Sequence, residues 1–441
     1  MSADLEFGYF PLGDLKPNPR NARTHSKKQI AQIAATMTEY GFVGAILRNP
    51  DNMILAGHGR ALAAKLLGME QVPTILVTGL TCAQETLLAI ADNKLALNSG
   101  WDLDLLKFHL GQIEIAGLDV TLTGYAVGEI DVALKLSADP ADEVIPAVPG
   151  TPVTRTGDIW ILDKHRIACG NLLDSATLAA LMAGEVADAV ITDPPYNVKI
   201  NGFANAKGRH AEFRMASGEM SPEQFRIFQG KFIQALIRVS RDGAVHYIFM
   251  DWRHVDELMA IGRAQYGDLL NLVVWRKNNA GMGSLYRSQH ELIVVFKVGD
   301  APHFNAVELG RHGRNRTNVW DAASVNSFAG SRRADLSMHP TVKPTGMIAD
   351  AIRDVTKRGE LVLDGFLGSG TALVAAELAG RRLYGMEIEP AYVDVAIERW
   401  IAMTGKEAVL EGTGETFSER RAMIEAQRQP GSAEPRPGDV A

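Results

Sequence analysis

Cysteine is almost missing from this chain of 441 residues: only Cys82 and Cys169 occur, without the paired spacing of a zinc site or a disulfide framework. A disulfide-stapled scaffold and a cysteine-based metal centre are thereby excluded, no metal is expected, and a reducing cytoplasm suits the composition. Long apolar runs are missing as well. No stretch reaches the roughly 18 residues a membrane helix needs, and the N-terminus has no basic region leading into an apolar one. Neither a membrane span nor a secretory leader is expected. Positive charge is not in excess either: the formal net charge is -7. Any grip on a polyanion must therefore come from local basic patches. What remains is a chain that is 46% hydrophobic and 22% charged, enough to build a core and long enough for two or three domains.

One short stretch organises the rest. The apolar run from Ala187 to Ile191 reads as a buried strand, and Thr192-Asp193-Pro194-Pro195-Tyr196-Asn197-Val198 follows it. Two consecutive prolines forbid both helix and ladder, so the chain must turn sharply at the strand's carboxyl end. A carboxylate, a proline carbonyl and an aromatic face then meet at the mouth of an α/β sheet, where such folds bind ligands. Those groups suit an exocyclic amine on a nucleobase, a poor nucleophile whose lone pair is delocalised into the ring. The Asp193 carboxylate and the Pro194 carbonyl would accept its two hydrogens, and Tyr196 would stack on a base taken out of its duplex. The plainer reading is a strand that ends in a Pro-rich turn beside an incidental acid.

A second stretch is Leu361-Val362-Leu363-Asp364-Gly365-Phe366-Leu367-Gly368-Ser369-Gly370-Thr371: a strand, a Gly-rich turn and the start of a helix. The next strand, from Arg382 to Met386, ends at Glu387. Small glycines let backbone approach a ligand closely, and a carboxylate after the following strand can hold two ribose hydroxyls. A dinucleotide dehydrogenase is the natural competitor, but the third glycine of its Gly-x-Gly-x-x-Gly pattern would fall at Leu373. Lys343-Pro344 precedes a helix from Met347 to Thr356. Asn171, after the strand that ends at Cys169 and Gly170, belongs either to a strand-end turn or to a ligand site.

Between these stretches strands and helices alternate, which argues for a mostly parallel sheet. Helices are expected at 175–182, 222–239 and 255–264, and strands at 244–250, 269–275 and 290–297. Three basic, glycine-bearing segments interrupt them: Lys199, Lys207 and Arg209 in one, Arg276, Lys277 and Arg287 in the next, and Arg311, Arg314 and Arg316 in the last. Such cations suit phosphates and guanine edges, and residues from about 276 to 338 are read as a target-recognition region.

Ahead of all this, residues 7–100 read as a small α/β unit. Ser26 caps a helix that Gly41 ends, a strand at 53–56 follows, and Gly57-His58-Gly59-Arg60 leads into a helix from Ala61 to Leu67. Backbone N–H groups beside a helix start, with Arg60 adding charge, make an anion cradle; an ordinary tight turn is the alternative. Residues 102–137 are amphipathic and helical, with Leu103, Leu106, Leu110 and Ile113 on one stripe. The domains are expected at 1–137 and 157–412, joined by a linker at 138–156 that holds four prolines, with a disordered tail at 413–441.

Two resemblances sharpen this. Asp193-Pro194-Pro195-Tyr196 resembles the catalytic motif of amino-group DNA methyltransferases. Phe366-x-Gly368-x-Gly370 with Glu387 is similar to their S-adenosylmethionine site, and the catalytic turn preceding the cofactor loop resembles the β group of that family. The N-terminal loop, Gly57-His58-Gly59-Arg60 and Ala91-Asp92-Asn93-Lys94 together resemble the ParB/sulfiredoxin-like domain, although Ala96 and Leu97 stand where that family usually has an arginine. The resemblance implies a Rossmann-like α/β methyltransferase sheet with a smaller ParB-like α/β domain. It implies catalysis by Asp193, Pro194, Pro195 and Tyr196. For S-adenosylmethionine it implies Asp364, Phe366, Gly368, Ser369, Gly370, Thr371, Glu387 and Asn171, with Lys343 in the segment closing the methionine end. The expected reaction is methylation of adenine N6 in double-stranded DNA, in a restriction–modification setting. Cytosine N4 is one alternative; a nucleotide-gated DNA-binding protein with an inactive methylase half is another. Expected partners are DNA, a nucleotide on Gly57, His58, Gly59 and Arg60, and a second copy of the chain in a homodimer.

Overall fold

The computed structural model describes residues 4–134, 144–198, 218–278, 280, 285–308, 316–322 and 343–428. The chain divides into two compact units after Leu134. In the first, the elements run β1 (Asp4–Pro11), α1 (Lys27–Tyr40), β2 (Ile46–Arg48), β3 (Ile54–Ala56), α2 (His58–Leu66), β4 (Gln71–Thr78), α3 (Cys82–Ala96), α4 (Leu103–Ile115) and α5 (Val127–Leu134). The strands form a sheet in the order β1-β4-β2-β3. Helix α1 starts and stops where the sequence says: the Ser26 hydroxyl accepts the Gln29 N–H, and Gly41 closes the helix at φ 79°. Helix α2 begins three residues before the expected Ala61. Gly57, at φ 97°, turns β3 directly into it, so Gly57-His58-Gly59-Arg60 is the helix's first turn and not a loop ahead of it. The stripe expected over 102–137 is broken: α4 and α5 are separate, with Gly117 and Gly124 between them at positive φ. Leu110 is buried and Leu103 is exposed.

The second unit runs β5 (Ile159–Leu162), β6 (His165–Cys169), α6 (Ser175–Met182), β7 (Ala187–Thr192), α7 (Pro222–Arg238), β8 (Ser240–Met250), α8 (Val255–Arg263), β9 (Asp268–Arg276), β10 (His290–Lys297), β11 (Val319–Asp321), α9 (Thr345–Val355), β12 (Leu361–Asp364), α10 (Thr371–Ala379), β13 (Arg382–Glu387), α11 (Pro390–Thr404), β14 (Val409–Leu410) and α12 (Phe417–Arg428). Among the described residues these strands make a ten-stranded sheet, ordered β11-β9-β10-β8-β7-β12-β13-β6-β5-β14. Its centre, from β8 through β7, β12 and β13 to β6, is parallel; the β10 and β5 pairings that flank it are antiparallel. From β7 the chain crosses to β8 on one side. From β12 it crosses to β13 on the other. The carboxyl ends of β7 and β12 therefore border a crevice that no crossover covers. Apolar side chains fill both faces of the sheet, with Trp160, Trp275 and Trp400 among the largest fully buried, as a doubly covered parallel sheet demands.

Two boundary expectations need correction. The expected linker is part of the fold at its end: the Val153 and Thr154 N–H groups donate to the buried Asp394 carboxylate of α11 at 2.6 and 3.0 Å. The tail expected to be disordered from 413 is instead helical from Phe417 to Arg428. Phe417 is 1% exposed and meets the Trp160 ring edge-on, with centroids 5.3 Å apart. Composition reports polarity on average, and one buried aromatic is enough to dock an otherwise polar helix. Phe417→Ala is expected to lower the stability of this unit by about 3–5 kcal/mol, read from the guanidinium midpoint; an unchanged midpoint would contradict this docking.

Candidate active site

Strand β7 delivers its last residues to the crevice, and the two prolines stop its ladder there. Asn197, in the left-handed region at φ 55°, reverses the chain after Tyr196. Its side chain accepts from the Gly218 and Met220 N–H groups and donates to the Met220 carbonyl. The chain leaving the turn is thus brought back beside it before α7 starts at its Ser221 capping box.

Both oxygens of Asp193 are engaged. Oδ1 accepts from the Tyr196 hydroxyl, and Oδ2 accepts from Lys343 Nζ at 2.6 Å. Lys343 Nζ also lies 2.9 Å from Glu291 Oε2, over the rings of Phe249 at 5.1 Å and Trp275 at 5.9 Å. Glu291 Oε1 in turn accepts from Lys277 Nζ. Burial pushes Asp193 above its ordinary carboxylate value, with Glu291 adding to the rise and Lys343 opposing it. Burial also works against the Lys343 charge, but the two carboxylates overcome it and hold the ammonium above its usual range.

On the other side of the crevice β12 ends at Asp364. Its Oδ1 accepts from the Thr192 hydroxyl at 2.8 Å and from the Phe366 N–H at 3.0 Å. Burial pushes Asp364 up to about 7. Strand β13 ends at Glu387, whose two oxygens accept from the Gly368 and Glu389 N–H groups at 2.9 Å each, and burial raises it too. Gly370, at φ 81°, opens α10; a Cβ there would lie 2.7 Å from the Ala396 Cβ, so only glycine lets α10 start this close to α11.

These groups share one cavity of about 460 Å³, a size that suits a small-molecule ligand. Asn171, Asp193, Pro194, Pro195, Tyr196, Lys343, Asp364, Phe366, Gly368, Ser369, Thr371 and Glu387 all line it. Gly370 does not line it and acts through packing. Asn171 makes a turn as well as facing the cavity, its Oδ1 accepting from the Leu173 N–H at 2.9 Å. Lys343, expected beside the cofactor, lines the cavity and is tied to Asp193. Glu291 was not singled out in the sequence; the available signal was a carboxylate opening the apolar strand 290–297.

The basic residues are less uniform. Arg276 is paired in the fork of Asp321 at 2.5 and 2.9 Å. Arg287 donates to the Ala280 carbonyl beside Leu285 and Tyr286, both over 80% exposed. Arg316 turns inward, onto Asp350 at 2.8 Å and Asp354 at 2.9 Å, over the Trp320 ring. Lys199, Lys207, Arg209, Arg311 and Arg314 lie outside the described residues. In the first unit, His58 Nε2 accepts the Asn18 N–H at 3.2 Å, tying the Pro-Asn-Pro loop to α2. Arg60 donates to the Ala45 carbonyl at 2.5 Å. Among the described residues no group of three or more potential metal-binding side chains occurs, and no helix is long and apolar enough to cross a membrane.

Fold and cavity together are those of an α/β enzyme that binds a small molecule at the carboxyl ends of its parallel strands. Residues 187–398 match the DNA methylase family model, and residues 104–156 match that of the ParB-methyltransferase HTH domain. A ParB-like nuclease domain-containing protein of Escherichia coli K12, YnaK, is 42% identical over 85 residues, 19% of this chain and 98% of its own. The type II methyltransferase M2.DpnII of Streptococcus pneumoniae is 26% identical over 240 residues, 51% of this chain and 87% of its own. Among solved structures, the PvuII DNA methyltransferase (cytosine-N4-specific) is 14% identical and covers 62% of this chain and 94% of its own, at a TM-score of 0.43. Residues 187–398 thus form an N6/N4 DNA methylase domain, of a family that uses S-adenosylmethionine, with a ParB-like region and a ParB-methyltransferase helix–turn–helix domain ahead of it in the chain.

The cofactor fits the residues present. S-adenosylmethionine carries a sulfonium cation, and the cavity is mainly apolar yet lined by the carboxylates of Asp193, Asp364, Glu387 and Glu389. Because Asp364 holds its proton more tightly folded than unfolded, its contribution is greatest at low pH and fades as pH rises from about 4 to about 7. Asp364→Asn is expected to flatten that part of the stability–pH curve relative to wild type, measured by denaturant titration across the range. Parallel curves would place the buried proton elsewhere.

Proposed function

We propose that this DNA methyltransferase methylates adenine N6 in duplex DNA. The observation that carries the reading is the Asp193 carboxylate, held beside the cofactor loop by the pairing of β7 with β12. An acid at the first position of the motif, followed by Pro194, Pro195 and Tyr196, supports adenine over cytosine. When bound, the cofactor supplies an electrophilic methyl group.

The chain's own residues do the rest. The target base must leave the stack to reach the crevice. Asp193 and the Pro194 carbonyl accept from its exocyclic amine and favour a pyramidal nitrogen with an available lone pair. Tyr196 exchanges its hydrogen bond to Asp193 for a stacking contact with the base. The methylated nitrogen would be left with one proton too many, the electron pair of the bond that had held the methyl group staying with the cofactor's sulfur. The surplus proton on nitrogen passes to Asp193, which burial makes a better base. Asp364 and Glu387 orient the cofactor. Positioning and fixed charges supply most of the acceleration, and no covalent enzyme intermediate is needed. Cys169 is buried, with its thiol pushed up to about 12, and is no nucleophile. Basic side chains around the β9–β10 connection, Arg287 among them, would hold phosphates, and the ParB-like region would add DNA or nucleotide binding.

Incubation with unmethylated genomic DNA and labelled S-adenosylmethionine, followed by nucleoside mass spectrometry, tests this. Methyladenine is expected from wild type, and Asp193→Ala is expected to lower its rate of formation by about 100- to 1,000-fold. Methylcytosine would overturn the base assignment, and no methylated nucleoside would overturn the reading.

A further inference from the structure

The catalytic carboxylate is one end of a row of charges. From the outside inward run Lys277, Glu291, Lys343 and Asp193, each touching the next and alternating in sign. The two ends are the more open: the Lys277 and Asp193 side chains are each 26% exposed, while those of Glu291 and Lys343 are 12% and 6% exposed. Lys277 stands at the base of the β9–β10 connection, where its N–H donates to the Gln289 carbonyl and Gln289 Nε2 donates back, both at 2.9 Å. The ring walls of Phe249 and Trp275 keep water from the inner ammonium.

Burying such a row is not explained by stability alone, since well-packed apolar side chains would serve the fold as well or better. From this arrangement we infer that Glu291 and Lys343 are positioning residues for methyl transfer, holding Asp193 in place and setting how strongly its carboxylate accepts hydrogen bonds and protons. Each does an opposite thing. Lys343 alone would keep Asp193 ionised but make it a weak acceptor. Glu291, on the far side of the same ammonium, takes up part of that charge and returns basicity to Asp193. Lys277 keeps Glu291 charged: burial works against that charge, and the two ammonium groups overcome it to hold Glu291 below its ordinary value.

The other groups near Asp193 are Tyr196 from its own turn, Asp364 at the end of β12, and Asp251 after β8, which acts on Tyr196 and is paired with His254 at 2.7 Å. Of these, Tyr196 lies in the field of both Asp193 and Glu291; it is unchanged in the variants below, so they report on the row itself.

The inference rests on the methyl-transfer reading and is tested by kcat against pH with saturating cofactor and DNA. Glu291→Gln is expected to move the acidic limb down by about one pH unit, and Lys343→Met to move it up by roughly one to three units. Lys343→Arg, which keeps the charge, is expected to restore the limb to near its wild-type position. Cofactor affinity measured by calorimetry is expected to stay within about twofold of wild type in Glu291→Gln, because Glu291 does not line the cavity. Opposite displacements are not produced by simple loosening of the site. Limbs that coincide, or that move the same way, overturn the inference while wild-type activity stands. If Lys343→Met does not fold, Glu291→Gln alone decides, and an unmoved limb overturns it. A wild-type enzyme that methylates no DNA would instead sink the methyl-transfer reading and this inference with it.

Discussion

Everything at this site depends on β7 and β12 lying side by side and in parallel. The pairing brings Thr192 and Asp364, 172 residues apart in the chain, into a 2.8 Å hydrogen bond. Each strand then releases its chain into the same crevice, one through a pair of prolines and the other through a Gly-rich turn. Without that register the Asp193-Pro194-Pro195-Tyr196 turn and the Gly-rich turn after β12 would be two unrelated strand ends. Sheet twist and right-handed crossovers leave this crevice open because the chain departs from β7 and β12 in opposite directions.

The cavity's electrostatics follow from the same geometry. Strand ends carry Asp193, Asp364 and Glu387 into a space walled mostly by apolar atoms, where each carboxylate is costly to ionise. Backbone N–H groups and the Thr192 hydroxyl offset part of that cost at Asp364 and Glu387. At Asp193 the offset comes from a side-chain hydroxyl and an ammonium group. A cationic cofactor entering such a space favours the ionised form of each of these carboxylates. Asp193, which we propose accepts the proton, is the one whose partner is itself shared with a second carboxylate.

Local signals read well in this chain. Ser26 and Gly41 bound α1 as their side chain and conformation require, and the His290–Lys297 strand matches its apolar run from end to end. The turn at Asp193-Pro194-Pro195-Tyr196 and the Gly-rich turn were legible as turns because proline and glycine act on the backbone at their own positions. Less legible was anything settled by a remote partner. Nothing around Phe417 announces that Trp160 will cover it, nor does the Pro-rich linker show that Asp394 waits for Val153 and Thr154. Arg316 has the look of a DNA-contacting cation, yet α9 supplies two carboxylates to hold it.

The order of the motifs, the residue types at the catalytic turn and the small residues of the cofactor loop are properties of the sequence by itself. They determine a methyltransferase sheet and an amino-group chemistry, because those demands fall on neighbouring residues. The tertiary structure decided which charges face one another. Lys343 reads as a pre-helix residue of the cofactor pocket and Glu291 as the start of a strand, and only the packing of β10 against β8 and of α9 against β7 brings them to Asp193. Long-range ion pairs leave no periodic trace in a sequence, since they depend on distances that only the folded sheet sets.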